Sequence, residues 1–393
     1  MKKAIMMSLS VVVALSASSI DEAFNTGKVS GHIRAAYVSQ DNMANLDTYG
    51  TSIGGILKFE TADWDGIKLG VAAHISQKID VATNDDKKVN LDFLDEEGRS
   101  FTSLGEAYLD YTFNDLNLRI GRQLIDTPFA DTDDIRMHPN TFEAAIITYS
   151  LIENMTLVGG YVTRWAGYDS GDDKSTFKKL DPNGNGAIVV GAVNESIEHL
   201  ALQGWYYGVD NVADMVYTDA SYVIHLSETM EFDISAQYAQ FNEKSGSAVD
   251  GNVFGISAAF NASALNLGIA YNQGNNDNSK TTPIGFGGGP YMTSMEEWTI
   301  EAMSDVKAYQ LRAEFDMASA GLEGLILTAL YGNFKSDTDG TKVTEFDVIA
   351  SLELNEVISG DVSYAIINDK NNNADGGIDA GYDRFLVRLN YAF

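Results

Sequence analysis

The stretch 124–140 concentrates side chains that can do chemistry. It carries Asp126, Asp131, Asp133 and Asp134 with Arg136 and His138. Grouped carboxylates draw cations, and a guanidinium among them can hold a carboxylate by paired hydrogen bonds. The same stretch holds Leu124, Ile125, Pro128, Phe129, Ile135 and Met137. Apolar anchors beside clustered charge predict a segment that packs against a surface rather than extending into water. A second group is basic and recurs in alternating stretches: His32, Arg34, Lys58, Lys68, His74, Arg119, Arg164, Arg312, Arg384 and Arg388. Acids that could face these bases are Glu60, Glu106, Asp110 and Asp361. Such bases either pair with the acids or form a ladder that selects among charged solutes.

Other chemistry is poorly served. The chain has no Cys, so it has no disulfide, thiolate metal site or cysteine nucleophile. The five histidines, His32, His74, His138, His199 and His225, show no metal-type spacing and no nearby Gly-x-Ser-x-Gly serine. The starts of two calcium-type loops, Asp181 to Gly186 and Asn371 to Gly376, lack the twelfth-position Glu, where Ala192 and Tyr382 stand. Asx turns account for them as well. No catalytic residue, metal or cofactor is assigned. A formal charge of −30 argues against nucleic acid as a partner, because little would displace the phosphate counterions.

The elements that must position these residues have a period of two. In 384–393, Phe385, Val387, Leu389, Tyr391 and Phe393 share one face, while Arg384, Arg388 and Asn390 share the other. Phe385, Tyr391 and Phe393 are read as a membrane-insertion signature. Similar alternation gives about eighteen segments, from 28–38 and 48–60 to 357–367 and 382–393. The fold predicted is all-β, a transmembrane antiparallel barrel. In lipid every backbone polar group must be paired, and for strands only a closed sheet achieves that. Only 5 Pro residues are present, and Pro removes a ladder donor.

Connections alternate in length. Short ones such as 61–65, 114–115, 151–153, 261–262 and 355–356 alternate with long polar loops at 78–103, 124–140, 166–185, 274–305 and 368–381. That layout predicts short periplasmic turns and long extracellular loops. Residues 1–19 read as a secretory signal peptide: Lys2 and Lys3, an apolar run over 4–15, then small residues. Residues 20–393 form one barrel domain. In a wide barrel the surface open to 124–140 is the inner wall. We read it as a folded-in constriction loop, with a plain external loop as the alternative.

Three stretches resemble the OprD-like outer-membrane porins: Gly27 to Arg34, Gly121-Arg122-Gln123, and Asp134 to Phe142. The likeness is to epsilonproteobacterial major porins of that family. Gly285 to Tyr291, with Thr293 to Glu296, resembles its long inward-leaning loop. The resemblance implies an 18-stranded barrel for passive uptake of small hydrophilic solutes, often packed as trimers. It implies an acidic eyelet at Asp131, Asp133 and Asp134, joined by Arg136. It implies a basic ladder including Arg34, Arg119, Arg122, Arg384 and Arg388. Arg119 and Arg122 are three apart, so a regular strand points them to opposite faces and puts Arg122 at the strand end or loop mouth. His32, Lys58, Lys68 and Arg312 complete the expected lumen set. The ladder is sparser than in basic-amino-acid channels, which favours a broad, weakly cation-selective channel. Alternatives are a channel selective for amino acids or small carboxylates, a barrel-anchored adhesin and a barrel hydrolase. Expected partners are outer-membrane lipid and lipopolysaccharide, the barrel-assembly machinery through the last strand, and two further copies of the chain.

Overall fold

The computed structural model describes residues 17–150, 153–171, 173–276, 279–338, 340–369 and 380–393. The signal segment up to residue 16 and the oxygen-rich stretch 371–376 lie outside the described residues.

A short helix, α1 (Ile20–Asn25), precedes the sheet and is capped by Ser19, whose hydroxyl accepts from the Glu22 amide at 3.2 Å. The strands follow in order: β1 (Lys28–Asn42), β2 (Thr48–Glu60), β3 (Ile67–Lys78), β4 (Phe101–Phe113), β5 (Leu116–Gln123), β6 (Thr141–Tyr149) and β7 (Met155–Ala166). Next come β8 (Lys178–Lys179), β9 (Ala187–Ile197), β10 (Leu200–Val209), β11 (Ala213–Ser227), β12 (Met230–Glu243), β13 (Gly251–Ala262) and β14 (Leu265–Asn275). The last are β15 (Val306–Asp316), β16 (Leu325–Ser336), β17 (Lys342–Glu353), β18 (Ile358–Asp369) and β19 (Tyr382–Ala392). β8 is a two-residue strand docked on the end of β7; the other eighteen form the barrel. Each barrel strand pairs antiparallel with the next, β7 passing over β8 to β9, and β19 closes on β1 from His32 opposite Ala392 to Asn42 opposite Tyr382. No edge is left open, as lipid requires.

Burial is inverted relative to a water-soluble sandwich. On β19, Leu389 is 55% exposed, while Arg384 on the other face is 5% exposed. On this strand the apolar side chains face out and the arginines face in, the arrangement of a membrane barrel. The described residues of the intervals 79–100, 124–140, 167–186 and 276–305 gather at one end of the barrel. Tight turns such as 114–115, 198–199 and 263–264 gather at the other. Asn114, His199 and Ser263 take positive φ there, as tight hairpins demand. These are called the long-loop end and the turn end below.

Candidate functional site

The 124–140 loop leaves β5 and crosses the inside of the barrel. Its first anchor is Phe129, fully buried, whose ring meets Tyr207, Tyr217 and Phe241 of the β10–β12 wall at 5.5, 6.0 and 6.0 Å. Edge-on contacts of this kind add to the apolar burial itself. Its second anchor is on the opposite wall. Arg34 of β1 donates to both Asp134 oxygens at 2.6 and 2.8 Å and to the Arg136 carbonyl at 2.7 Å. Arg388 of β19 donates to the Asp134 carbonyl at 2.6 Å. The loop then returns to its own side: His138 stacks on His74 at 5.0 Å and its Nε2 meets the Ile75 carbonyl of β3 at 2.9 Å.

A second long loop lies on the first. The Phe286 amide donates to the Phe129 carbonyl at 2.9 Å, and the Asp131 amide to the Phe286 carbonyl at 3.0 Å. Gly287 has φ +94°, and a Cβ there would lie 2.0 Å from the Asp131 carbonyl, so only glycine permits the approach. Further along, Glu345 of β17 accepts from the Glu297 and Trp298 amides, both at 2.9 Å. Asp347 accepts from the Glu296 amide at 3.3 Å.

Four loops meet at one buried charge cluster. Arg136 is 4% exposed and bonds Glu297 of 276–305 at 2.9 Å and Asp92 of 79–100 at 3.1 Å. Arg384 joins both carboxylates, meeting Glu297 at 3.1 Å and also contacting Asp92. The Arg136 guanidinium lies 4.5 Å over the Tyr168 ring, which brings in 167–186. Arg136 and Arg384 are therefore structural clasps. Glu297, Glu345 and Asp347 were not singled out from the sequence. Only the alternation of Glu345 and Asp347 along one strand face hinted at them.

The acids of the loop have distinct surroundings. Burial works to raise the Asp134 carboxyl, but the hydrogen bonds and charge of Arg34, with Arg388 adding, hold it below the usual range. Asp131 and Asp133 lie on the side of 167–186 and 276–305, near Asp169 and Glu301. Glu301 is pushed up to about 7 by burial, with the Asp169 and Asp133 charges adding and the Gly285 amide opposing. His138 is lowered to about 4 by burial, against the pull of the Ile75 carbonyl and Asp134.

The inward bases near β1 are matched by acids. Lys58 meets Glu106 at 2.8 Å, Lys68 meets Glu60 at 3.9 Å, Arg119 meets Asp110 at 2.7 Å and Arg388 meets Asp361 at 3.1 Å. Lys58 and Arg119 also lie over the Tyr108 ring. His32 is on the same inner face, between β19 and β2. Arg312 faces inward on β15, well away from that wall, and pairs with Glu314.

Two expected members leave the lumen. Arg122 follows Ile120 onto the outer face of β5, because it stands three residues from the inward Arg119. Arg164 also faces outward, because a bulge opposite Glu143 and Ala144 inserts Thr163 and shifts the alternation of β7. Phe385 and Tyr391 face outward, and Phe393 exchanges backbone hydrogen bonds with Gly31 at 3.0 and 3.1 Å. Ser52, within Gly50-Thr51-Ser52-Ile53-Gly54, lies inside β2 bonded to Ser76 and the Gln77 carbonyl, without the exposed turn a nucleophile needs. Asp181 caps its own turn, accepting from the Asn183 amide at 2.9 Å.

A closed barrel with two loops folded across its lumen is the geometry of a channel. The sequence from 24 to 372 matches the family described as outer membrane porin, OprD family. The chain belongs to the OprD family. It is an outer-membrane porin of a Gram-negative cell. Among solved structures it is similar to Pseudomonas aeruginosa OpdK with vanillate, at 17% identity and TM-score 0.80, covering 94% of this chain and 99% of that one. It is also similar to Acinetobacter baumannii OccAB2, at 17% identity and TM-score 0.79, covering 95% and 99%. P. aeruginosa OccK8 (OprE) aligns at 16% identity and TM-score 0.77, covering 94% and 98%. At such identities the structures share the fold. No curated protein matches the chain in sequence.

Proposed function

We propose that the 124–140 loop is the constriction of a diffusion channel with a weak preference for cations. The observation that carries it is the loop's span from Phe129 on one wall to Asp134 on the other. The wall bases are each held by a carboxylate, which mutes their field, whereas Asp131 and Asp133 lie near further acids, Asp169 and Glu301. Negative potential in a narrow, low-dielectric passage raises local cation concentration. The long-loop end faces the outside and the turn end faces the periplasm. Outward aromatics on β19 offer the assembly machinery a membrane-facing strand, and copies associate as trimers. The kinship within the family is with epsilonproteobacterial major porins.

A second reading is a channel for small carboxylates. It is favoured by the paired grip of Arg34 on Asp134, a carboxylate site already built into the wall, and by the vanillate held in the OpdK structure. The zero-current potential across a KCl gradient decides between them. A cation-selective value supports the acidic eyelet. An anion-selective value transfers the function to carboxylate uptake. Folded protein that gives no stepwise conductance in planar bilayers refutes both.

A further inference from the structure

The two bases displaced from the lumen form a row. Arg122 of β5 lies opposite Glu143 of β6, Glu143 opposite Arg164 of β7, and Arg164 opposite Lys179 of β8. Side chains directly opposite in antiparallel strands share a face. The row therefore crosses adjacent strands at one height, on the outer surface, at the long-loop end. It holds three cations and one carboxylate. Glu143 takes Arg122 at 3.0 Å on one oxygen and Arg164 at 3.8 Å on the other, so a single carboxylate aligns both guanidiniums without cancelling them. Arg122 is also stacked 4.1 Å over the Phe177 ring, which fixes its plane. Towards the turn end the same surface carries exposed Leu109, Ile120, Tyr161 and Ile188. The row thus stands where the apolar belt stops.

Its position is selective. The protein carries a formal charge of −30, which by itself repels an anionic surface. Among the described residues, the outward-facing Lys and Arg of strands all lie beside the long-loop end. The others are Lys307, Lys335 and Lys342, opposite one another across β15, β16 and β17. Nothing in conduction uses a base outside the lumen.

We propose that Arg122, Arg164 and Lys179 bind the phosphate groups of a phosphorylated glycolipid of the outer leaflet, the lipid A part of lipopolysaccharide. Guanidinium forks match phosphate oxygens in paired, charge-assisted hydrogen bonds. Clustered bases at a membrane boundary are the general form of an anionic headgroup site. The apolar strip beneath the row receives the acyl chains. The assignment rests on the reading that the long loops face outward.

The test is lipid binding to the folded, full barrel in neutral detergent, followed by native mass spectrometry. The probes are lipid A with both phosphates, dephosphorylated lipid A and phosphatidylglycerol. The wild-type protein is expected to hold bisphosphorylated lipid A about tenfold or more tighter than Arg122→Gln/Arg164→Gln/Lys179→Gln. Both are expected to hold dephosphorylated lipid A equally weakly. A control with the same charge change in an exposed loop, Lys87→Gln/Lys88→Gln/Arg99→Gln, should bind as wild type does. Equal affinity in the row variant, an equal loss in the loop control, or no preference over phosphatidylglycerol overturns the site. Competition by millimolar inorganic phosphate assigns it to free phosphate and also overturns it. If the triple variant does not fold, Arg164→Gln alone, on a half-exposed side chain, should show a partial loss, and no loss refutes the site. Conductance is recorded on the same samples. Lost conductance with the lipid difference intact counts against the channel reading alone.

Discussion

Single titratable groups in the folded-in loops set how the channel responds to pH. Glu301, pushed up to about 7, gains its charge near neutrality beside Asp169 and Asp133. Cation preference should therefore rise as the pH goes from about 6 to about 8, and Glu301→Gln should flatten the curve. A wild-type reversal potential that does not move over that range removes Glu301 from the eyelet. The eyelet acids have their own test. Asp131→Asn/Asp133→Asn/Asp134→Asn should lower the cation-to-anion permeability ratio in a salt gradient, and an unchanged ratio rejects the assignment. His138 acts on stability instead. Its folded pKa, about 4, lies below the ordinary 6.5. Between those values the unfolded chain takes up a proton that the folded chain does not, so stability falls as the pH drops through that window. His138→Gln should reduce this slope in urea titrations at pH about 6.5 and about 4. The residue types of 124–140 were legible from the sequence. Which acid meets a base was not, since Arg34 and Asp134 are brought together only by the fold.

The loops depend on one another at the level of elements. Arg136 ties 124–140 to 79–100 and 276–305 through buried carboxylates. Removing one partner of a buried pair leaves an uncompensated charge and costs about 3–5 kcal/mol. Arg136→Met should therefore loosen all three loops at once. The expected signs are larger, noisier conductance and faster proteolysis at the long-loop end, with the barrel intact on gels. Quiet, wild-type conductance would show that Phe129 and Arg34 suffice to seat the loop. Alternation placed Arg119 and Arg388 on the inner face correctly, because that periodicity is local. It misplaced Arg164, because one inserted residue at Thr163 reverses every later side chain, and a bulge has no clear mark in a single sequence.

The barrel as a whole is held by its match to lipid outside and by ring closure. Leu389 faces out in the closing strand. Leu389→Arg should cost about 2–4 kcal/mol near the bilayer midplane, read by refolding from urea into vesicles. The inward Ser363→Arg should cost less and alter conductance instead. Equal costs at both sites would mean that Leu389 does not meet lipid. The lumen pairs, from Lys58–Glu106 to Arg388–Asp361, allow many charges inside a membrane protein because each charge has water or a partner.

By itself the sequence determined the class of fold, the number of long strands and the face of most side chains. These follow from a two-residue period that pairing and lipid enforce locally. It also marked 124–140 as a packing loop, because Phe129 and Met137 are apolar among acids. The tertiary structure alone decided what the loop packs on, that Arg136 and Arg384 clasp Asp92 and Glu297, and that Arg164 faces outward. Those outcomes join residues from distant strands and loops, or turn on a single bulge, and no local pattern encodes them.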